Sequence, residues 1–379
     1  MPSVNQASCI HAKYYLSLMI TTHTMHLQGS EAFSRALGIL DENWLQVIHG
    51  QRWTCEARNS HEDAAKYCIA FAHAAFPLLQ LRLLPEELIR WLDDALQACR
   101  MREEGFFEGV TLANLGVVFA EQGRISQAIE FYEKALVLIH EQREHAQEGN
   151  ILGNIALIFA NENQISHALT LYEQSIALAR ETADRRGECT ALCNLGLLHD
   201  HLGEKEKAMS LLHQGYALAS SLGALDLQTM VLGHLGSMSF EMGDIQRAVQ
   251  YYEQQLNGSH LLGDRHGMAK VNGNIALALI KQEKYNAALD CLRESIEIAH
   301  QVSDTRQEGI AHWNLGQLYQ QQDDITTAIS YAQRAIRLLS SMHDPLLPII
   351  ENKMVEWQQA TANGISPKDA FAHEAGSNV

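Results

Sequence analysis

Between residues 109 and 348 the apolar and polar positions recur every forty residues, in six copies without insertion or deletion. Each copy holds two apolar stretches. Inside a stretch the apolar residues fall three or four apart, which places them on one side of a helix. In the first copy Leu115, Gly116 and Phe119 form one stripe, and Ile125, Ala128, Tyr132 and Ala135 another. The spacing predicts a helix A over 108–121 and a helix B over 125–141. A triplet marks each helix A: Asn114-Leu115-Gly116, Asn154-Ile155-Ala156, Asn194-Leu195-Gly196, His234-Leu235-Gly236, Asn274-Ile275-Ala276 and Asn314-Leu315-Gly316. Twelve residues after its third member stands an alanine, at 128, 168, 208, 248, 288 and 328. The third member is glycine or alanine because helix B must approach closely; a larger side chain would overpack the contact by about 1–3 kcal/mol. Gly123, Asn163, Gly203, Gly243, Glu283 and Asp323 occupy the turn between the helices. Glycine and asparagine suit a left-handed helix cap there, and the two acidic residues suit it less well. A fixed period of this length signals stacked helix pairs, an all-α solenoid.

The flanks are less regular. The pattern predicts a helix over 10–28, two short helices over 31–40 and 42–49 around Asp41, and a helical run from Glu62 to Leu84 kinked or ended near Pro77. Pro85 suits the first turn of the next helix. Forty residues before Ala128 and Ala135 stand Leu88 and Ala95, so 69–108 reads as a degenerate repeat and 1–68 as an N-terminal helical cap. Residues 109–348 hold the six clear repeats. Residues 349–379 read as a capping helix, with Ile350, Met354 and Trp357 on one face, followed by a tail expected to be disordered after Asn363-Gly364. Between repeats lie polar links, Asp184-Arg185-Arg186-Gly187, Asp264-Arg265-His266-Gly267 and Asp304-Thr305-Arg306. Their aspartates are expected to cap the next helix A, and their arginines to reach the ends of preceding helices.

Charge narrows the partners. Against 28 lysines and arginines stand 45 aspartates and glutamates, a formal charge of −17. Such a surface argues against nonspecific nucleic-acid or anionic-membrane binding. No lipid-spanning run or secretory leader is legible. The seven cysteines are odd in number and lack a disulfide-framework spacing, which points to a reducing, cytoplasmic setting.

The repeat resembles the tetratricopeptide repeat, in its extended forty-residue form. Leu115, Gly116, Phe119, Ala128, Tyr132 and Ala135 stand at the family's signature positions, and Ile155, Ala156, Phe159, Ala168, Tyr172 and Ser175 repeat them. Later copies depart at the aromatic places, with His199 and Leu212, then Ser239, then Leu279 and Leu292. The resemblance implies a right-handed superhelix of antiparallel helix pairs whose concave groove holds a peptide or protein segment. Asn114, Asn154, Asn194, His234, Asn274 and Asn314 would then face the groove, with Leu157, Leu197, Lys270, Lys281 and Trp313 beside them. An asparagine amide both donates and accepts, so a column of them can bracket successive peptide groups. The same asparagines can also stabilise the solenoid by bonding a neighbouring helix with no ligand. Trp313 is open between a groove anchor and packing between repeats. Residues 1–108, from His11-Ala12-Lys13-Tyr14-Tyr15-Leu16 onward, resemble the helical region that follows the nucleotide switch in STAND-type signalling ATPases. That implies an N-terminal ATPase or effector module as a partner, although no phosphate-binding Gly-x-x-x-x-Gly-Lys-Ser/Thr is present.

The expected function is therefore an adaptor or signalling sensor that recognises a peptide or protein noncovalently. Two alternatives stand: a STAND-type sensor region for a small molecule or modified peptide, and an architectural oligomerisation scaffold. No catalytic residue, metal site or cofactor is expected. His199 and His201 point in different directions on a helix. Cys189 and Cys193 share a face but find no second pair at zinc-finger spacing. His140-Glu141 meets His145 one residue too late for a zinc-protease pattern.

Overall fold

The computed structural model describes residues 4–26, 30–74, 76–80, 82–342 and 344–362. Among them are eighteen α-helices, a short 3-10 turn at Ser340–Met342, and no strand. Two compact units, Met1–Leu227 and Gln228–Val379, divide the chain. The first holds α1 (Val4–His26), α2 (Ser30–Ala57), α3 (Glu62–His73), α4 (Phe76–Gln80) and α5 (Pro85–Arg102). Three antiparallel pairs follow: α6 (Gly105–Glu121) with α7 (Ile125–Glu141), α8 (His145–Asn161) with α9 (Ile165–Glu181), and α10 (Arg185–His201) with α11 (Lys205–Ser221). The division falls inside α12 (Leu225–Glu241). The second unit continues with α13 (Ile245–Leu262), α14 (Arg265–Lys281), α15 (Tyr285–Gln301), α16 (Thr305–Gln321), α17 (Ile325–Leu339) and α18 (Leu347–Ala362).

The flanks correct the sequence reading in two places. The two short helices expected around Asp41 are one continuous helix, α2, because Leu40 and Val47 lie on one buried stripe that runs through that point. Asp41 stays on the outer side, where Arg82 pairs with it at 2.6 Å. The run expected from Glu62 to Leu84 stops at His73, and a five-residue α4 with Pro77 in its first turn follows. In α5, Leu88 and Ala95 are both buried. One apolar core extends from Ala12 in α1 to Ile158 in α8. The tail after 362 lies outside the described residues.

Each helix pair follows from three local devices. The B helices present a stripe such as Ala128, Tyr132, Ala135 and Ile139, all buried. Burying a Tyr132-sized side chain stabilises by about 1.5–3 kcal/mol. The triplet's glycine then sets the interhelix distance. A Cβ on Gly116 would sit 2.6 Å from the Tyr132 ring, and one on Gly236 2.5 Å from that of Tyr252. Finally, the turns are left-handed caps. The N–H of Gly123 bonds Ala120 O and that of Arg124 bonds Phe119 O, both at 2.9 Å. Asn163, Glu283 and Asp323 adopt the same left-handed conformation, at φ 59°, 59° and 66°. The repeated cap therefore overrides a local cost of about 1–2 kcal/mol at each side chain with a Cβ.

Successive pairs are clamped by polar contacts between side chains. Arg100 reaches Glu108 at 2.7 Å, His140 reaches Glu148 at 3.3 Å and Arg180 reaches Glu188 at 2.6 Å in the first unit; His300 reaches Glu308 at 3.4 Å in the second. In each case a basic residue in the last turn of a B helix meets an acid in the first turn of the next A helix, the arrangement that both helix dipoles favour.

Candidate functional site: two clefts in the same repeat register

The links between repeats build the walls of the site. Asp184 accepts the Gly187 N–H at 2.9 Å, Asp264 that of Gly267 at 2.8 Å and Asp304 that of Gln307 at 2.9 Å, so each aspartate caps the A helix it precedes. The arginines do not reach back to preceding helices. Arg186 pairs forward with Asp226, and Arg306 with Asp344 at 2.6 Å. His266 likewise bonds Asp304 at 3.0 Å. In each of these three turns one basic residue points along the stack to a carboxylate of the next repeat. Burial would raise the Asp304 carboxyl. The hydrogen bonds from His266 and the Gln307 N–H, with the charges of His266 and Arg306, outweigh burial and hold it below the usual carboxylate range.

In the first unit these walls enclose a cleft of about 350 Å³. Asn150, Gly153 and Asn154 of α8 face Thr190, Ala191 and Asn194 of α10 across it, with Asp184, Arg186 and Gly187 at one end. Asn150 donates to Asp184 at 3.5 Å. Beneath it the Ser175 hydroxyl donates to Gly149 O at 2.7 Å. In the second unit a cleft of about 600 Å³ lies three repeats further on. Lys270, Gly273, Asn274 and Leu277 of α14 face Ile310, Trp313, Asn314 and Gln317 of α16. Asp264, His266, Asp304, Arg306, Gln307 and Leu346 complete the wall. Ser295 repeats the hidden bond, donating to Ala269 O at 2.7 Å, and Gln307 approaches the same carbonyl at 3.4 Å.

Of the predicted groove residues, the structure brings Asn154 together with Asn194, and Lys270 together with Asn274, Trp313 and Asn314. Asn154 is exposed, Asn194 and Asn274 are half-buried, and Asn314 is 4% exposed. Trp313 is not an exposed anchor. It is 7% exposed and stacks on Trp357 of α18, with ring centroids 5.4 Å apart, so it packs between elements and offers the cleft only an edge. Leu157 is exposed and Leu197 half-buried, outside the linings of the two clefts, as are Asn114, His234 and the exposed Lys281. Burial first, and then the charge of Lys270, push the His234 imidazole below its ordinary value, so it is neutral at pH 7. The sequence reading missed the link residues as wall residues. Their Asp-x-Arg/His pattern at the foot of successive A helices was the available signal.

Other candidate titratable groups lie outside these clefts. His199 is buried and bonds Glu204 at 2.7 Å, while His201 is exposed. Cys189 donates to Gly215 O at 3.3 Å inside the core. Cys9, His61 and Asp63 bring their ligand atoms within 4.8 Å of one another. The Nδ1 of His61 is already engaged, accepting the Asp63 N–H at 3.3 Å as the N-cap of α3. No described helix is long and apolar enough to cross a membrane.

Family profiles described as Tetratricopeptide repeat match residues 111–147, 227–299 and 267–341. The chain is a tetratricopeptide-repeat helical solenoid. No curated protein matches the sequence. Among solved structures, the solenoid is similar to a Signal Transduction ATPase with Numerous Domains protein with a tetratricopeptide repeat sensor from Pyrococcus horikoshii. The two share 12% identity at a TM-score of 0.58, over 87% of this chain and 51% of that one. The chain therefore spans about half the length of that relative. It is also similar to a Rap protein complexed with Competence and Sporulation Factor, at 12% identity and a TM-score of 0.58, over 95% of this chain and 99% of that one. The quorum sensor NprR from B. thuringiensis, in its apo form, matches at 16% identity and a TM-score of 0.54, over 84% of this chain and 95% of that one. At these identities the likeness carries the fold of the solenoid.

Proposed function

We propose that the solenoid recognises a peptide or protein segment noncovalently, as an adaptor or sensor module, through its two clefts. The observation that carries this reading is the pairing of asparagines from consecutive A helices, Asn154 with Asn194 and Asn274 with Asn314, across a solvent-accessible cleft. Two amides across a cleft can hold the N–H and C=O of one extended strand from both sides without reading its side chains. The flanking residues then choose the sequence. Leu277, Ile310, Trp313 and Leu346 give the second cleft an apolar wall, and Lys270 adds a cation at its edge. That cleft fits an apolar side chain beside an acidic group. Solenoids of the same fold include one complexed with Competence and Sporulation Factor and the quorum sensor NprR, which supports a ligand-reading role.

A second reading rests on the first cleft. Every residue lining it is polar or small, and its volume falls within the range of small-molecule sites. It would serve a polar small molecule in a STAND-type sensor, with the N-terminal helices relaying the signal to an ATPase or effector module. Exposed Ile10 and Tyr14 of α1 offer apolar surface for such a contact. The cytoplasm, with its reducing thiol pool, is the compartment we assign.

The test is capture from a peptide library by the wild-type chain and by the triple variant Asn154→Ala, Asn194→Ala, Asn274→Ala, with circular dichroism confirming the fold. Loss of captured peptides by tenfold or more is expected. Unchanged capture by a folded triple variant would sink the backbone-bracketing mechanism, and capture of small polar metabolites in place of peptides would favour the second reading.

A further inference from the structure

A second cleft system lies away from the asparagines, between α2 and α5. It encloses about 410 Å³, and Ile48, Leu83 and Trp91 form its apolar side. Cys55 opens onto it. The Sγ of Cys55 lies 3.4 Å from that of Cys68 on α3, the two thiols hydrogen-bonded and both cysteines free of any disulfide. Cys68 is only 1% exposed, packed with Ala65, Ile69, Ala98 and Cys99. Cys55 is therefore the outer thiol and Cys68 the inner one. The Gln51 side-chain amide donates to the Cys55 sulfur at 2.9 Å, a contact that favours negative charge there as a proton leaves. Arg58, held by Asp94 at 3.1 Å, places its guanidinium on the same turn and donates to Cys55 O at 2.6 Å.

We propose that Cys55 and Cys68 form a thiol modification site, in which Cys55 takes up a low-molecular-weight disulfide from the cleft and Cys68 resolves it into an intramolecular bond. The Cys55 thiol loses its proton to solvent, and its sulfur attacks one sulfur of the small disulfide. A mixed disulfide forms at Cys55 and one small thiolate leaves. Cys68 then gives up its proton, and its sulfur attacks the Cys55 sulfur. The Cys55–Cys68 bond forms, the second small thiol departs, and the small disulfide has been reduced by two electrons. The product ties the end of α2 to α3 between residues 13 apart in the sequence. The fold sets the order of attack, since only the outer sulfur meets the cleft. It also sets the rate. Its bond to Cys68, then burial, and the charge and hydrogen bond of the Asp94 carboxylate push the Cys55 thiol up, so the exchange is slow at neutral pH and quickens as pH rises. Cys189 and Cys193 make an internal control, because both are fully buried along one helix.

The experiment uses the full chain with oxidised glutathione, followed by mass-spectrometric mapping of every cysteine. In the wild type a Cys55–Cys68 bond is expected, with a rate that rises with pH and a higher thermal midpoint in the product. In Cys68→Ser the mixed glutathione adduct should accumulate on Cys55. In Cys55→Ser, Cys68 should stay unmodified while the chain remains folded. An adduct on Cys68 in that variant, bonds between chains in the wild type, or thiols at 55 and 68 that react only after unfolding would each overturn the proposal.

Discussion

The two asparagine clefts occupy the same repeat register three repeats apart, yet they differ in chemistry. Their frames agree closely. Asn154 and Asn274 correspond, as do Asn194 and Asn314, Gly153 and Gly273, Asp184 and Asp304, and Arg186 and Arg306. Even the concealed bond from Ser175 to Gly149 O returns at the same length from Ser295 to Ala269 O. Against this frame, Asn150 becomes Lys270, Thr190 becomes Ile310, Cys193 becomes Trp313 and Gly187 becomes Gln307. The first cleft is small and polar throughout; the second is larger, with an apolar wall and a cation. The repeat thus separates two tasks. Triplet, alanine and cap hold the backbone, while the places that differ between the two copies set the chemistry of each cleft.

The largest expected effect tests whether the Trp313 position bears on the fold as well as on the cleft. Trp313→Ala removes a buried ring stacked on Trp357 and should cost about 3–5 kcal/mol in denaturant unfolding. The corresponding Cys193→Ala in the first unit should cost about 1 kcal/mol. Similar costs for the two would break the contrast between the clefts.

Acid tests a single buried imidazole of the first unit next. Burial pushes His73 down to about 4, and its ring bonds the Thr111 hydroxyl at 2.9 Å. A depressed imidazole contributes stability in full above its unfolded value near 6.5, and loses it as pH falls from there toward 4. Between those limits the first unit should lose about 2 kcal/mol relative to His73→Gln, which retains a partner for Thr111. Asp304 of the second unit is shifted down as well, but as a carboxylate. Its contribution is complete above its unfolded value near 3.8 and is lost only below that. Thermal unfolding of wild type and His73→Gln at pH 7 and pH 4.5 measures the difference; parallel curves would remove His73 from the account.

The shared frame makes a smaller, paired prediction. Ser175→Ala should cost about 1 kcal/mol through loss of its bond to Gly149 O. Ser295→Ala should cost less, because Gln307 also reaches the Ala269 carbonyl. A larger loss at Ser295 would show that Gln307 does not substitute.

The smallest effect bears on selectivity. Lys270→Asn gives the second cleft the residue of the first. It should weaken an acidic peptide by about fivefold and flatten the salt dependence of its binding, as isothermal titration at two ionic strengths would show. An unchanged salt dependence would place the acidic group elsewhere.

The sequence alone determined the repeat and nearly all of its backbone. Six triplets, six alanines and the cap positions predict each helix pair, because those constraints are local or span a single turn. The aspartate caps were legible for the same reason. Even the ill-suited Glu283 and Asp323 sit in the left-handed cap, since the register of the stack outweighs one residue's preference. Tertiary structure decided the rest, because these features depend on neighbours a full repeat away. Arg306 turns forward because Asp344 waits 38 residues on. Trp313 is buried because Trp357 of α18 lies over it, a partner that no period of forty foretells. The asparagine column was legible residue by residue, but which asparagines share a cleft depends on the links that wall it. Those links become walls only when one helix pair is stacked on the next.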